Sequence, residues 1–296
     1  MAEGGDVSGV VVVDKAPGLT SHQVVGRLRR LLGTRKVGHA GTLDPMATGV
    51  LVCGVNRATR LLGHLMVGTK SYRATIRLGS TTVTDDAEGE ILTTPGAERI
   101  EPEQAHQLFA RFTGDIEQVP TQVSAIKVDG VRSYARVRSG EQVDLPARPV
   151  TVHRFDLVSS ARDGEHLDLE VEVDCSAGTY IRALARDLGR ELGCGGHLTA
   201  LRRTAVGPYG LDRAVRIDLD DTAPTVIDID RVARENFTAV QLDPEEAARV
   251  RHGGRIDPSR LAPAGLSALF DDEQFLALHR GDGSVEAVFA PAGART

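Results

Sequence analysis

Asp44 is the carboxylate in this sequence whose surroundings best suit a nucleophile. It lies in the glycine-rich segment KVGHAGTLDPMATGVLVCGV, directly before Pro45 and ahead of an apolar run from Val50 to Val55. From Lys15 to Arg77 the chain carries eleven lysines and arginines, and Asp44 is the one acid in that window. Nearby cations lower the pKa of a carboxyl group, which keeps it ionised as a nucleophile or an electrostatic stabiliser. An Asp before a Pro is also common in simple turns, so the residues alone leave both roles open.

Motifs for other kinds of chemistry are missing. The chain has no P-loop signature, no H-E-x-x-H pair and no G-x-S-x-G elbow. Its nine histidines are dispersed, and its three cysteines, Cys53, Cys175 and Cys194, are too widely spaced for a zinc or redox pair. The sequence therefore predicts no metal and no cofactor, and cofactor-free chemistry on an RNA base fits best.

The basic window also predicts a surface that faces a polyanion. The net charge of the chain is −6, but binding to nucleic acid depends on the local field and not on the global sum. Lys15 opens this window and Arg77 closes it. A solvated helix face would give the same composition, so this alternative stays open.

Hydrophobic periodicity and turn residues predict the elements that position these groups. Strands are expected at Val10 to Asp14, in SYRATIRLG, and at Gln122 to Val128, Val150 to Leu157 and Leu167 to Cys175. Helices are expected from His22 to Leu32 with Thr20 or Ser21 as N-cap, from Pro102 to Phe112, and in GTYIRALARDLGREL. The segment TTVTDDAEGE resembles a polar connection. Many strands with few helices between them favour an α+β fold with a mixed, mainly antiparallel sheet.

Two domains are expected, residues 1–225 and a small β-rich tail at 236–296, with a linker-like stretch from Asp218 to Asn236. No segment has the length of a membrane span, and the first residues lack the pattern of a signal peptide. Together with the unpaired cysteines, this predicts a cytoplasmic protein without membrane contact.

Several segments together resemble the TruB family of tRNA pseudouridine synthases. GHAGTLDPMATGVL, from Gly38 to Leu51, is similar to the family's nucleophile motif. The similarity continues in order through DKAPGLTS, KSYRATIRLG, VSAIKVDGVRSYARVRSGE, CSAGTYIRALARDLG and LTALRRTAVGPY. It covers nearly all of the first 210 residues, and the tail resembles a PUA-type RNA-binding domain only faintly. The implied architecture is a sheet core with a central cleft, the pseudouridine synthase fold, followed by a PUA-like domain.

The resemblance implies a role for each matching residue. Asp44 would be the nucleophile, attacking either the ribose C1′ or the uracil ring, and Arg182 would pair with it. Tyr72 would stack on the flipped uracil and could help to remove the C5 proton, while His39 would fill the position that the base leaves. The remaining matches imply substrate contacts for Tyr180 and Leu201, and RNA contacts for Lys15, Arg202 and Arg203.

The implied substrate is tRNA, bound through its T-arm and elbow and modified at the T-loop uridine of position 55. We expect a monomer with no obligate protein partner. One alternative is a guide-RNA-dependent synthase, which shares the nucleophile motif, although such proteins usually carry longer terminal extensions and partner subunits. Another is a tRNA-folding chaperone that acts without chemistry.

Overall fold

A ten-stranded mixed sheet forms the body of the protein. The computed structural model describes residues 7–121, 145–217 and 222–290, with the backbone of 127–128 and 131–132. The strands before the first gap are β1 (Gly9–Lys15), β2 (Val37–Ala40), β3 (Thr48–Val55), β4 (Lys70–Leu78), β5 (Thr81–Thr82), β6 (Ile91–Thr93) and β7 (Gly114–Gln118). Those that follow are β8 (Lys127–Val128), β9 (Val131–Arg132), β10 (Arg148–Asp163), β11 (His166–Cys175), β12 (Gly196–Val206), β13 (Tyr209–Gly210) and β14 (Ile227–Asp228).

The central sheet has the order β14-β1-β3-β12-β4-β11-β10-β7, with β2 added to β3 and β13 to β12. Neighbours in this sheet are antiparallel except β12 and β3, which run parallel. The strict alternation of LDLEVEVDC gives β11 one buried and one half-buried face, as the sequence pattern predicts. The expected α+β fold with a mainly antiparallel sheet is confirmed.

Six α-helices lie among the described residues, and the first of them begins after an N-cap that the sequence predicts. They are α1 (Ser21–Leu31), α2 (Leu62–Leu65), α3 (Pro102–Leu108), α4 (Ile181–Glu191), α5 (Ile229–Asn236) and α6 (Pro244–Arg251). Thr20 caps α1 in a capping box with Gln23, and Gly33 follows its end with a φ of 62°. The predicted helix over 102–112 is α-helical to Leu108 and continues as a 3₁₀ turn from Phe109 to Phe112.

A small sheet made by the last strands packs against the main sheet. Its order is β15 (Thr238–Gln241), β16 (Leu266–Asp271), β17 (Gln274–Arg280) and β18 (Val285–Val288). Phe270, Phe275 and Phe289 share one apolar cluster with Val10 and Val12 of β1. The β-rich tail is thus confirmed as a structure, whereas its independence as a domain stays a prediction.

The expected linker from 218 to 236 is wrong over its second half. Residues 227–228 pair with β1 as β14, and 229–236 form α5. Ile229, Val232 and Ala233 are buried at helical spacing, which explains why this charged segment folds.

The strand expected at 122–128 falls largely outside the described residues, where only 127–128 are seen as a strand. None of the helices in the described part of the chain is both long and apolar enough to cross a membrane.

Candidate active site

The loop that carries Asp44 connects β2 to β3 and is fixed from several sides. On one side of Asp44, the Ser21 hydroxyl donates to the Leu43 carbonyl at 3.1 Å and accepts from the Leu43 amide at 2.9 Å. On the other side, the Pro45 carbonyl accepts from Lys15 Nζ at 3.1 Å and from the Gly18 amide at 2.9 Å. Leu43 and Ala47 are buried in the core. The backbone around the carboxylate is therefore held in one conformation.

Arg182 bridges two carboxylates in the cleft. Its Nε lies 3.1 Å from Asp44 Oδ2, and its Nη1 lies 3.1 Å from Asp86 Oδ2. Nη1 also donates to the Thr84 carbonyl at 2.8 Å. The side chains of Arg182 and Asp86 are almost fully buried, while that of Asp44 is 35% exposed. The arrangement aims one accessible carboxylate into the cleft and anchors the arginine behind it.

The ionisation of Asp44 is set by opposing effects. Loss of hydrating water raises the pKa of Asp44 above its ordinary value, and the neighbouring charge of Asp86 raises it further. Arg182, Lys15 and Arg203 oppose this shift, with Arg182 the strongest of the three. A carboxylate with a raised pKa is more basic and more nucleophilic than an ordinary one, provided that the surrounding cations keep it ionised.

Two apolar groups line the sheet beside this loop. Tyr72 on β4 and Leu201 on β12 are each 8% exposed and belong to the same core cluster as Leu43 and Ala47. His39 on β2 is half-buried, and its Nδ1 has no hydrogen-bond partner. Burial is the main reason why the pKa of His39 is lowered, with Arg203 and His22 adding to the effect. Nδ1 is itself buried, so this ring nitrogen is an unsatisfied polar atom inside the protein.

Tyr180 marks the start of α4. It is the extended N-cap residue of that helix, and Arg182 is the second helical residue, so the helix expected in GTYIRALARDLGREL is confirmed. The Gln118 side chain holds Tyr180 by donating to its carbonyl at 3.1 Å and accepting from its amide at 2.8 Å. This clamp fixes the helix start from which Arg182 reaches Asp44.

Comparison with known proteins assigns the chain to a family. Residues 29–181 match the profile of the TruB family pseudouridylate synthase N-terminal domain, and residues 182–238 match that of the tRNA pseudouridylate synthase B C-terminal domain. The first match alone spans more than half of the chain. The chain belongs to the TruB family. It is therefore an enzyme, a pseudouridine synthase of the isomerase class.

Full-length relatives agree with this assignment. A tRNA pseudouridine synthase B of Cutibacterium acnes is 55% identical over 93% of this chain and 94% of its own length. That of Arthrobacter sp. is 54% identical over 97% and 94%, and that of Thermobifida fusca is 53% identical over 96% and 99%.

Solved structures confirm the pseudouridine synthase fold. The crystal structure of a Cbf5-Nop10-Gar1 complex contains a chain that matches with a TM-score of 0.71 and 26% identity, over 96% of this chain and 85% of that one. An H/ACA RNP bound to a substrate RNA containing 2′-deoxyuridine gives a TM-score of 0.70 at 24% identity, over 96% and 85%. The second likeness shows the fold alone.

Two of the three basic residues expected to contact RNA lie inside this TruB-family fold. Lys15 is 1% exposed, and its Nζ donates to the carbonyls of Ala16, Leu19 and Pro45. Arg203 is also 1% exposed and donates to the carbonyls of Val50 and Gly41. Their donors are used to hold the loop that carries Asp44. The expectation that these two residues contact RNA directly is therefore corrected.

Arg202 occupies the opposite face of β12. It binds the Asp14 carboxylate with both terminal nitrogens, at 3.0 and 2.9 Å, and its side chain stays 36% exposed. It borders a cavity of about 240 Å³ together with Arg27 and Arg216. A contact between Arg202 and RNA remains a prediction.

Asp86 is the site residue that sequence reasoning missed. It lies in TTVTDDAEGE, which the composition describes only as a polar connection. The structure places it beside Leu198 of β12 through an isolated bridge, under Arg182. The sequence offers only a weak signal, the adjacent acids Asp85 and Asp86 in a segment that also carries Glu88 and Glu90. Elsewhere in the described chain, no three His, Cys, Asp or Glu side chains converge as metal ligands would.

Proposed function

We propose that this enzyme converts the T-loop uridine at position 55 of tRNA to pseudouridine, with Asp44 as the nucleophile and without a cofactor. The observation that carries the proposal is the contact of 3.1 Å between Arg182 Nε and Asp44 Oδ2 at the mouth of the cleft. Burial removes hydrating water from the Asp44 carboxylate, which favours its neutral form. A fixed guanidinium beside it keeps the carboxylate ionised and oriented. The packing of the sheet and the loop leaves one side of the Asp44 carboxylate accessible to the substrate.

The reaction breaks the bond between C1′ and N1, turns the uracil and joins C1′ to C5. A base inside an RNA stack is out of reach of Asp44, so the nucleotide must be extruded, and stacking on an aromatic ring offsets part of that penalty. Tyr72 offers the ring and Leu201 an apolar wall, and His39 would fill the position that the base leaves. The detached uracil has to stay in place while it turns, which favours an enclosed and apolar pocket.

A tRNA substrate and independence from a guide RNA are supported by the relatives. Those at 53–55% identity over nearly the whole chain are named tRNA pseudouridine synthase B, whereas the Cbf5 complex is 26% identical. We therefore propose a stand-alone monomer that binds the T-arm and elbow of tRNA in the cytoplasm. Assistance in tRNA folding is compatible with the same binding surface, but it needs no nucleophile.

The direct test is to incubate the purified protein with an unmodified tRNA transcript, without cofactor or guide RNA, and to map pseudouridine by carbodiimide-dependent primer extension. A matched transcript with cytidine at position 55 serves as the control for the site. We expect one modified T-loop position, which disappears in the control. A transcript that is bound tightly but stays unmodified would contradict the stand-alone synthase and favour the guide-dependent or chaperone alternative.

A further inference from the structure

Arg203 is a buried cation that the chemistry above does not use directly. We propose that it is a positioning residue for the isomerisation, holding the nucleophile loop and presenting its positive charge to the Tyr72 hydroxyl that takes the C5 proton. This inference rests on the proposed function, since it assigns a supporting group to the same site.

The strand register places Arg203 at the centre of the site. It pairs directly with Tyr72 on β4 on one side and with Gly49 on β3 on the other, so the three residues form a row across the sheet. Its Nε donates to the Val50 carbonyl at 2.7 Å, and its Nη2 donates to the Gly41 carbonyl at 3.0 Å. Gly41 lies between His39 and Asp44 in the nucleophile loop. The guanidinium thus connects that loop to β3, while the backbone of Arg203 pairs with the strand that carries Tyr72.

The positive charge of Arg203 has no acidic partner within ion-pair distance among the residues that the structure describes. A charge that is 1% exposed and has no carboxylate partner in the described part of the chain carries a large desolvation penalty, which two hydrogen bonds to backbone carbonyls offset only in part. Arginine cannot escape this penalty by losing its proton. The charge itself is therefore the feature to be explained.

The groups that face this charge are those of the reaction centre. They come from five elements, namely Lys15 on β1, His39 on β2, Asp44 on the loop, Cys53 on β3, and Lys70 and Tyr72 on β4, while Cys175 on β11 faces Tyr72. Burial lowers the pKa of Lys70, and Arg203 lowers it further. Burial raises the pKa of Cys53 to about 12, so this thiol stays neutral. Arg203 is accordingly the fixed positive charge of this group.

Removal of the C5 proton during the isomerisation explains why a positive charge lies near Tyr72. When C1′ becomes bonded to C5, the C5 proton must leave, and N1 must gain a proton from water. If Tyr72 first releases its own proton to water, its phenolate oxygen can take the C5 proton and end the cycle as a neutral phenol. Burial raises the pKa of Tyr72 and opposes this step, whereas the charge and hydrogen bonding of Arg203 act in the other direction.

The test compares Arg203→Met and Arg203→Lys with the parent enzyme. Arg213→Met is the control, because Arg213 is a part-buried arginine, with its side chain 23% exposed, that pairs with Glu235 and not with a site residue. Single-turnover rates are measured between pH 6 and pH 10 on tRNA that carries uridine or [5-²H]uridine, together with tRNA affinity and thermal unfolding. For Arg203→Met we expect a rate about 100-fold lower, the contribution typical of a positioned general base.

The isotope effect and the pH profile separate the proposed role from a structural one. We expect Arg203→Met to show a larger 5-deuterium effect and a rate that recovers at higher pH, with tRNA affinity unchanged, and Arg203→Lys to restore part of both. A lower rate with an unchanged isotope effect and pH profile would overturn the proposal. If Arg203→Met does not fold, the isotope effect and the pH profile of Arg203→Lys test the proposal instead, since lysine keeps the charge but loses the planar donors. Failure of the parent enzyme to modify the transcript would instead reject the proposed function.

Discussion

At the scale of single residues, Asp44 shows how the site balances opposing effects. Burial raises the pKa of Asp44, and Arg182 is the strongest of three cations that oppose the shift. The net pKa lies above the ordinary 3.8, so protonation of the folded enzyme begins at a higher pH than in the unfolded chain. The negative charge of Asp44 is therefore lost at a higher pH on acidification than that of an exposed aspartate.

The first prediction concerns the acid limb of the pH profile. Because only the ionised Asp44 can attack, we expect the single-turnover rate to fall with decreasing pH through a midpoint above 3.8. The measurement is a pH series of single-turnover rates, with circular dichroism at each pH to confirm that the protein stays folded. A midpoint at or below 3.8 in folded protein would show that burial does not control this group.

The second prediction concerns Asp86. Asp86→Asn removes the buried charge that holds Arg182 Nη1, so Arg182 loses part of its alignment with Asp44. A small misplacement of a reacting group lowers turnover by about 100-fold, and we expect a loss of that order in kcat with little change in tRNA affinity. Asp168→Asn, which breaks a pair with Arg77 on the same sheet, is the matched control and should leave kcat unchanged. Equal activities of the two variants would refute the role of Asp86.

At the scale of secondary structure, the sequence predicts the helices and strands that carry the site residues better than it predicts which of these residues contact one another. The capped helix before the motif, the strand containing Tyr72 and the helix containing Arg182 follow from periodicity and turn residues. Asp86 could not be found in this way, because its place depends on contacts with β12 and α4, which are distant in sequence. The resemblance predicts RNA contacts for Lys15 and Arg203, because a match between sequence motifs does not distinguish a buried cation from an exposed one.

The third prediction concerns Gly49, where β3 approaches β12. Its φ is +96°, and a Cβ at this position would lie 2.1 Å from the Arg203 carbonyl oxygen. Gly49→Ala should lower the free energy of unfolding by about 3 kcal/mol or more, through strain and forced separation of the two strands. Gly26→Ala in α1 is the matched control, since nothing lies near its Cβ, and it should raise stability by about 0.5–1 kcal/mol. Chemical denaturation measures both, and a neutral Gly49→Ala would contradict the close approach of the strands.

At the scale of the whole molecule, the last strands share a core with the catalytic sheet. Phe289 is 1% exposed and stacks on Phe275 with ring centroids 5.0 Å apart, and Arg60 covers its ring at 4.9 Å. Arg57 also donates to the Phe289 carbonyl at 2.7 Å. These contacts join the C-terminal strands to the segment that follows β3. The sequence divides the chain at this region because charge and turn residues hide the apolar spacing of α5.

The fourth prediction follows from this shared core. Phe289→Ala should lower the stability of the whole protein by about 3–5 kcal/mol, because it leaves a cavity between the two sheets. Differential scanning calorimetry should show one unfolding transition for the parent, and the same single transition at a lower temperature for the variant. Two transitions, with only one of them shifted, would mean that residues 236–296 fold independently.

The fifth prediction tests the central claim, that the carboxylate of Asp44 is the nucleophile. Tritium release from tRNA labelled with [5-³H]uridine is measured under single-turnover conditions for the parent and for Asp44→Asn, with tRNA affinity and thermal unfolding recorded in parallel. Asparagine keeps the shape of the side chain but removes the charge that Arg182 holds. We predict no detectable release by a folded variant that still binds tRNA, whereas release at a rate comparable to that of the parent would contradict the account.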